Sequence, residues 1–173
     1  PSIAKSWQVD DNGSRYTFTL RDDVLFHENK LFTNINQRRV SAYDFEYSFA
    51  RLIDPKLASP GAWVMSNVKT FKAINDSIFL MELHKPFPPF LGLLSMPYCS
   101  VVPQEIIDQD VFDEQTVGTG PFRFQYWKQN VKLVYRKNSD YFEKGLPYLD
   151  AVATEQSRAP VNELTLGRFS GPP

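Results

Sequence analysis

Two histidines and one cysteine are the residues with which this chain could perform nucleophilic or metal-dependent chemistry. They are His27, His84 and Cys99 in a sequence of 173 residues. A nucleophile needs a base within hydrogen-bonding reach, and a metal site needs several clustered ligands. No GxSxG, HExxH, CxxC or DxDxDG pattern brings such groups together. We therefore expect no catalytic residue, no metal ligand and no cofactor, and a protein that binds without catalysis.

The surroundings of these three residues favour structural roles. Cys99 lies in the mostly apolar segment 96–102, which indicates a buried thiol. His27 and His84 each adjoin a predicted strand or turn. An enzyme remains an alternative that rests only on His27 and Cys99, and a measured peptidase activity that is lost in a Cys99→Ala variant would be needed to support it.

The charge and the hydropathy exclude two broad classes of protein. Lys and Arg total 19 against 20 Asp and Glu, without a basic stripe, so we expect no nucleic-acid partner. No apolar run reaches the length of a transmembrane helix. The chain begins at Pro1 without a signal-peptide pattern, so we expect any targeting segment to have been removed or never included.

The elements that must position any site begin with a hairpin. Apolar and polar residues alternate in YTFTLR (16–21), which predicts a half-buried strand. The cluster DDNG (10–13) is a hairpin turn, so residues 3–9 should pair with that strand. Asp22 and Asp23 then interrupt the pattern before 24–26 restart it.

A capped helix follows a polar loop. We expect the loop, with Arg38 and Arg39, to be solvated. Ser41 is a good N-cap, Asp44 lies at the capping-box position, and Asp54-Pro55 ends the helix. Its apolar face is predicted from the spacing of four residues, namely Ala42, Phe45, Phe49 and Leu52.

Several shorter elements complete the prediction. The prolines of 85–90 fit a rigid connector better than a proline-rich ligand motif. We also expect a strand buried on both faces, a short buried strand, a short helix, a hairpin and one further strand. These lie at 77–83, 101–103, 104–108, 122–135 and after Asp150, respectively.

The amino-acid sequences of these segments are similar to motifs of one protein family. YTFTLRDDVLFH (16–27), preceded by AKSW, resembles the opening of the solute-binding proteins of peptide ABC importers, the oligopeptide-, dipeptide- and nickel-binding family 5. Further matches occur in the expected order: the helix SAYDFEYSFARLIDP, then LHKPF, VVP, VGTGPF, and finally NSDYF with PYLD. They span residues 4–150, most of this chain but a minority of a family member.

The resemblance implies a fold class and a domain organisation. It implies an α/β (mixed α+β) fold of the type II periplasmic-binding-protein class, present in part. Residues 1–117 would form the small extra domain with its connecting strands, and 118–153 a returning portion of lobe I. The poorly matched tail, 154–173, is expected to be disordered. The second lobe, whose carboxylate holds the peptide amino terminus in the family, would be missing.

The resemblance also implies a function. The parent protein would capture oligopeptides and deliver them to an ABC transporter permease from a periplasmic or other extracytoplasmic location. It would be a monomer, associated with the membrane only through a lipid anchor or the permease. The alternatives are a sensor or adhesion module of the same fold, or a binder of nickel chelate, haem or sugar.

The best candidate for a ligand-binding segment is the loop after the helix. The residue that follows "S-P" in this loop of the family is often an aromatic that faces the ligand. This chain has Gly61 there, after Ser59 and Pro60, and Trp63 lies two residues on. We expect Ser59, Gly61 and Trp63 to line the cleft. The alternative, that Trp63 packs beneath the loop as core, stays open at this point.

Overall fold

Two antiparallel sheets and one long helix dominate the architecture. A computed structural model describes residues 2–33, 38–109 and 116–155. The elements are β1 (Ala4–Val9), β2 (Arg15–Leu20), α1 (Ala42–Ile53), β3 (Val68–Asn75), β4 (Ile78–Leu83), α2 (Phe90–Leu94), α3 (Gln104–Ile107), β5 (Phe122–Lys128), β6 (Lys132–Lys137) and β7 (Ala151–Glu155), with short 3-10 helices at Ala62–Met65 and Pro97–Cys99. The first sheet has the strand order β1-β2-β4-β3, and the second has the order β5-β6-β7.

The predicted hairpin at the start of the chain is confirmed. β1 pairs with β2 in a register that places Trp7 opposite Phe18. In the turn, Gly13 has a φ of +67°, a conformation that favours glycine. The Asp10 carboxylate accepts hydrogen bonds from the backbone N–H groups of Arg15 and Ser14, at 2.9 and 2.8 Å, which lowers the pKa of Asp10.

The helix α1 covers one face of the first sheet, and its predicted bounds and cap are confirmed. The Asp44 carboxylate accepts a hydrogen bond of 2.7 Å from the backbone N–H of Ser41 at the N-cap. Phe49 packs edge-on against Phe79 of β4, with ring centroids 5.7 Å apart. The core beneath the helix is formed by alternate residues of the two central strands, namely Tyr16, Phe18, Leu20, Phe79, Met81 and Leu83. Each such side chain contributes roughly 1.5–3 kcal/mol through burial.

Three parts of the first sheet region differ from the prediction. β4 is buried on one face only, and Ile78 and Leu80 on the other face are half-buried. The sequence does not predict the edge strand β3, because apolar and polar residues alternate only weakly along it. Its pairing with β4 also shifts register at two points. Residues 101–103 form no strand. Val101 and Pro103 are nevertheless buried, and Val101 packs in a second apolar cluster with Ile106.

The second sheet agrees with the predicted hairpin and final strand. β5 pairs with β6 around a turn in which Asn130 has a φ of +60°, and β7 joins the other side of β6. Residues 154 and 155 end β7, whereas the rest of the tail expected to be disordered, 156–173, lies outside the described residues. Among the described helices, none is long and apolar enough to cross a membrane.

Arg38 is half-buried in an ion-pair network, so the expectation of a solvated basic pair is wrong for this residue. Its guanidinium donates to the carboxylate of Asp44 at 2.6 Å and to that of Glu105 at 2.7 Å. The Asp44 side chain is only 3% exposed. Burial opposes the charge of Arg38, but the two carboxylates outweigh it and raise the pKa of Arg38. The network fixes the second apolar cluster against the start of α1.

We predict that Arg38→Gln lowers the free energy of unfolding by about 3 kcal/mol, because the carboxylate of Asp44 is then left buried without its cation. Urea unfolding measures the change. Arg15→Gln is the matched control, since the Arg15–Glu82 pair is exposed, and we expect it to change stability by less than about 1 kcal/mol. Equal effects of the two substitutions would contradict the role of the network.

A buried histidine joins the two sheet regions. The Nε2–H of His27 donates to the carbonyl of Gly120 at 2.9 Å, and the backbone N–H of Gly118 donates to Nδ1 at 3.3 Å. The Nδ2–H of buried Asn138, which follows β6, donates to the same Gly120 carbonyl at 3.0 Å. We refer to these four residues as the histidine junction. Both ring nitrogens of His27 are therefore used within it.

Burial lowers the pKa of His27, and Arg123 nearby adds to the effect although the hydrogen bond to Gly120 opposes it. Arg123 itself is paired with Glu28 at 3.4 Å. Protonation at Nδ1 would remove the acceptor used by Gly118.

We predict that this histidine makes stability depend on pH. Its contribution is complete above the unfolded pKa of 6.5, and it is lost as the pH falls from there towards the lower folded pKa, because the unfolded chain then binds the extra proton. Urea unfolding between pH 7.5 and 5 should show a slope that His27→Gln reduces. His84→Gln, at an exposed position, is the control. A slope that survives in His27→Gln would contradict the prediction.

Candidate functional site

The loop between α1 and β3 carries the three predicted ligand-binding residues. It begins at Asp54, whose carboxylate accepts a hydrogen bond of 2.9 Å from the backbone N–H of Lys56. The Ser59 hydroxyl accepts from the N–H of Gly61 at 3.3 Å, and the Ser59 carbonyl accepts from the N–H of Ala62 at 3.1 Å. Ser59 thus uses its side chain to shape the turn that leads into the 3-10 helix.

Gly61 is buried beneath the ring of Tyr98. A Cβ atom on Gly61 would lie 2.4 Å from Cγ of that ring and 2.5 Å from Cδ1, which no side chain can occupy without movement. Glycine is therefore required here by the close approach of a ring rather than by its backbone angles, since its φ is −91°. The sequence places 36 residues between the two, so no local pattern reveals the contact.

Trp63 points away from the core. The 3-10 helix Ala62–Met65 buries Val64 and Met65, whereas the side chain of Trp63 is 52% exposed. The open alternative that Trp63 packs as core is therefore not the arrangement found. The structure brings Ser59, Gly61 and Trp63 together in one turn and adds Tyr98, which sequence reasoning missed.

The histidine and cysteine residues do not form a reactive pair. Cys99 is buried, its Sγ lies 3.7 Å from the carbonyl of Leu93, and burial raises the pKa of the thiol to about 11. His27 has both nitrogens bound to backbone groups of the histidine junction. Within residues 2–33, 38–109 and 116–155, no group of three His, Cys, Asp or Glu side chains could hold a metal ion.

A polar cleft of about 410 Å³ lies between α1 and α3. Its charged side chains are bound within the cleft: Arg38 binds Asp44 and Glu105, and the Tyr47 hydroxyl donates to Asp108 at 2.9 Å. The hydrogen bond from Arg38 lowers the pKa of Glu105, although burial opposes the shift. The polar side chains of the cleft are thus bound to one another, whereas the ring of Trp63 on the loop after α1 is exposed.

The chain is similar to several solute-binding proteins. The family described as "Bacterial extracellular solute-binding proteins, family 5 Middle" matches residues 1–165. Di/tripeptide-binding protein 2 of Pseudomonas aeruginosa is 32% identical over 168 residues, which are 87% of this chain and 31% of that protein. Heme-binding protein A of Haemophilus influenzae is 30% identical, over 85% of this chain and 30% of that protein.

One solved structure gives the corresponding fold. The periplasmic binding protein DppA of Helicobacter pylori, in complex with the peptide STSA, superposes with a TM-score of 0.78 and 31% sequence identity. The match covers 91% of this chain and 34% of that one. The chain thus spans about a third of the length of its relatives. It belongs to the bacterial extracellular solute-binding proteins of family 5, and its mixed α/β fold is part of the type II periplasmic-binding-protein fold.

Proposed function

We propose that this chain is part of the substrate-binding protein of an ABC importer that captures oligopeptides and delivers them to a membrane permease. Residues 1–117 serve as its small extra domain, 118–153 return to lobe I, and the tail follows. The protein acts outside the cytoplasm, as a monomer that a lipid anchor can hold at the membrane. Support comes from the family match over residues 1–165 and from peptide-binding relatives at 31% and 32% identity.

The loop after α1 supplies the ligand-contacting surface in this proposal. Ser59 shapes the turn, Gly61 lets the ring of Tyr98 pack against the loop beside the ligand, and Trp63 presents its ring to the ligand. The observation that carries the assignment is the exposed indole of Trp63 on a loop otherwise anchored by buried Val64 and Met65. An aromatic wall accepts varied side chains because its contacts depend on shape and dispersion rather than on charge.

Binding without catalysis fits the chemistry of the described residues. The thiol of Cys99 is protonated and buried. His27 cannot act as a base for this thiol, because both of its ring nitrogens are hydrogen-bonded to backbone groups. In this proposal the parent protein delivers its ligand unchanged. Haem is the main competing ligand, because one relative at 30% identity is named as a haem-binding protein.

We predict that the full-length protein containing this chain binds short peptides such as Ala-Ala-Ala and Ala-Phe-Ala, measured by calorimetric titration. Trp63→Ala should weaken the binding of Ala-Phe-Ala about tenfold, because the loss of an aromatic contact and its buried area removes on the order of 1.4 kcal/mol.

Trp127→Ala is the matched control, since Trp127 is similarly exposed, at 58%, but lies on the second sheet. It should leave peptide affinity within about twofold. Hemin is titrated in parallel. Binding of hemin without any peptide would contradict the proposed ligand class, and equal losses in the two tryptophan variants would contradict the assignment of the loop.

A further inference from the structure

The contact between Tyr98 and Gly61 extends the candidate site to a second segment of the chain. Tyr98 sits in the 3-10 helix Pro97–Cys99, between α2 and α3. The N–H of Cys99 donates to the carbonyl of Met96 at 2.9 Å, and buried Cys99 anchors the turn in the core. The ring of Tyr98 is therefore held over Gly61 by its own buried neighbour.

The ring remains accessible although one side covers Gly61. Tyr98 is 43% exposed and Trp63 is 52% exposed. Neither ring stacks on another aromatic ring within the described part of the chain, unlike the core phenylalanines. Two half-exposed rings thus lie near one buried glycine: the Tyr98 ring packs on Gly61, and Trp63 follows Gly61 by two residues in the chain.

The two segments that carry these rings contain no charged residue. The loop residues 57–66 read LASPGAWVMS, and residues 95–102 read SMPYCSVV. A charged ligand group would find no counter-ion in either segment and would lose hydration against the rings. An apolar or aromatic side chain would gain dispersion and stacking contacts there.

We propose that Tyr98 determines ligand specificity: the exposed part of its ring forms, together with the exposed ring of Trp63, a subsite beside Gly61 that accepts one apolar or aromatic peptide side chain. This inference rests on the proposed peptide-binding function. Gly61 allows the Tyr98 ring to take this position, because any larger residue displaces the ring.

The test uses the full-length protein and calorimetric titration with tripeptides. Phe or Asp replaces each position of Ala-Ala-Ala in turn. Wild-type protein should prefer Phe over Ala at one position and reject Asp there. Tyr98→Ala and Gly61→Ala should each reduce that Phe preference about three- to tenfold, the range expected for one aromatic pair. Tyr98→Phe should retain it.

Two further variants separate specificity from folding. Tyr98→Leu keeps an apolar side chain without the ring, so a reduced Phe preference with an unchanged melting temperature supports a direct contact. Tyr43→Ala, at an exposed tyrosine of α1, is the control and should not alter the preference. If the wild-type protein binds no tripeptide, the proposed function is wrong. If it binds them and the Tyr98→Leu variant keeps the full Phe preference, only the present inference is overturned.

Discussion

The packing of α1 against strands β3 and β4 holds the first sheet and the loop that follows the helix in their relative positions. Phe49 is held against Phe79 and Phe71, and the Glu46 carboxylate accepts a 2.7 Å hydrogen bond from the N–H of Ala73 on β3. These contacts fix the position of the C-terminal end of α1 relative to the sheet. The loop that begins at Asp54 therefore starts from a rigid support, and so does Trp63 within it.

Elements defined by local patterns could be predicted from the sequence. β2 alternates strictly and α1 has both a capping box and a regular apolar face, so both were found at nearly their true bounds. β3 was missed because an edge strand with two register slips has no clean period. Its position depends on β4 and on Glu46, and neither is visible in the local sequence.

Contacts between distant segments could not be predicted from the sequence. These contacts determine which side chains are paired within the scaffold and which rings lie at the candidate site. Arg38 looked like a solvated loop residue, but its partner Glu105 lies 67 residues away. In the same way, the need for glycine at position 61 comes from Tyr98, a residue in a different segment. Sequence reasoning located the loop through a family resemblance, and only the fold adds the second ring.

The described residues combine a scaffold of paired polar groups with an accessible aromatic surface at Trp63 and Tyr98. Polar groups of the scaffold, in the Arg38 network and in the histidine junction, are bound to partners within the chain. The rings of Trp63 and Tyr98 are instead left half-exposed beside an uncharged loop. A crystal structure of the full-length protein with a bound Phe-containing tripeptide tests this division most directly. We expect ligand atoms within contact distance, about 4 Å, of both rings. A ligand bound elsewhere, with Trp63 and Tyr98 covered by other parts of the protein, would contradict it.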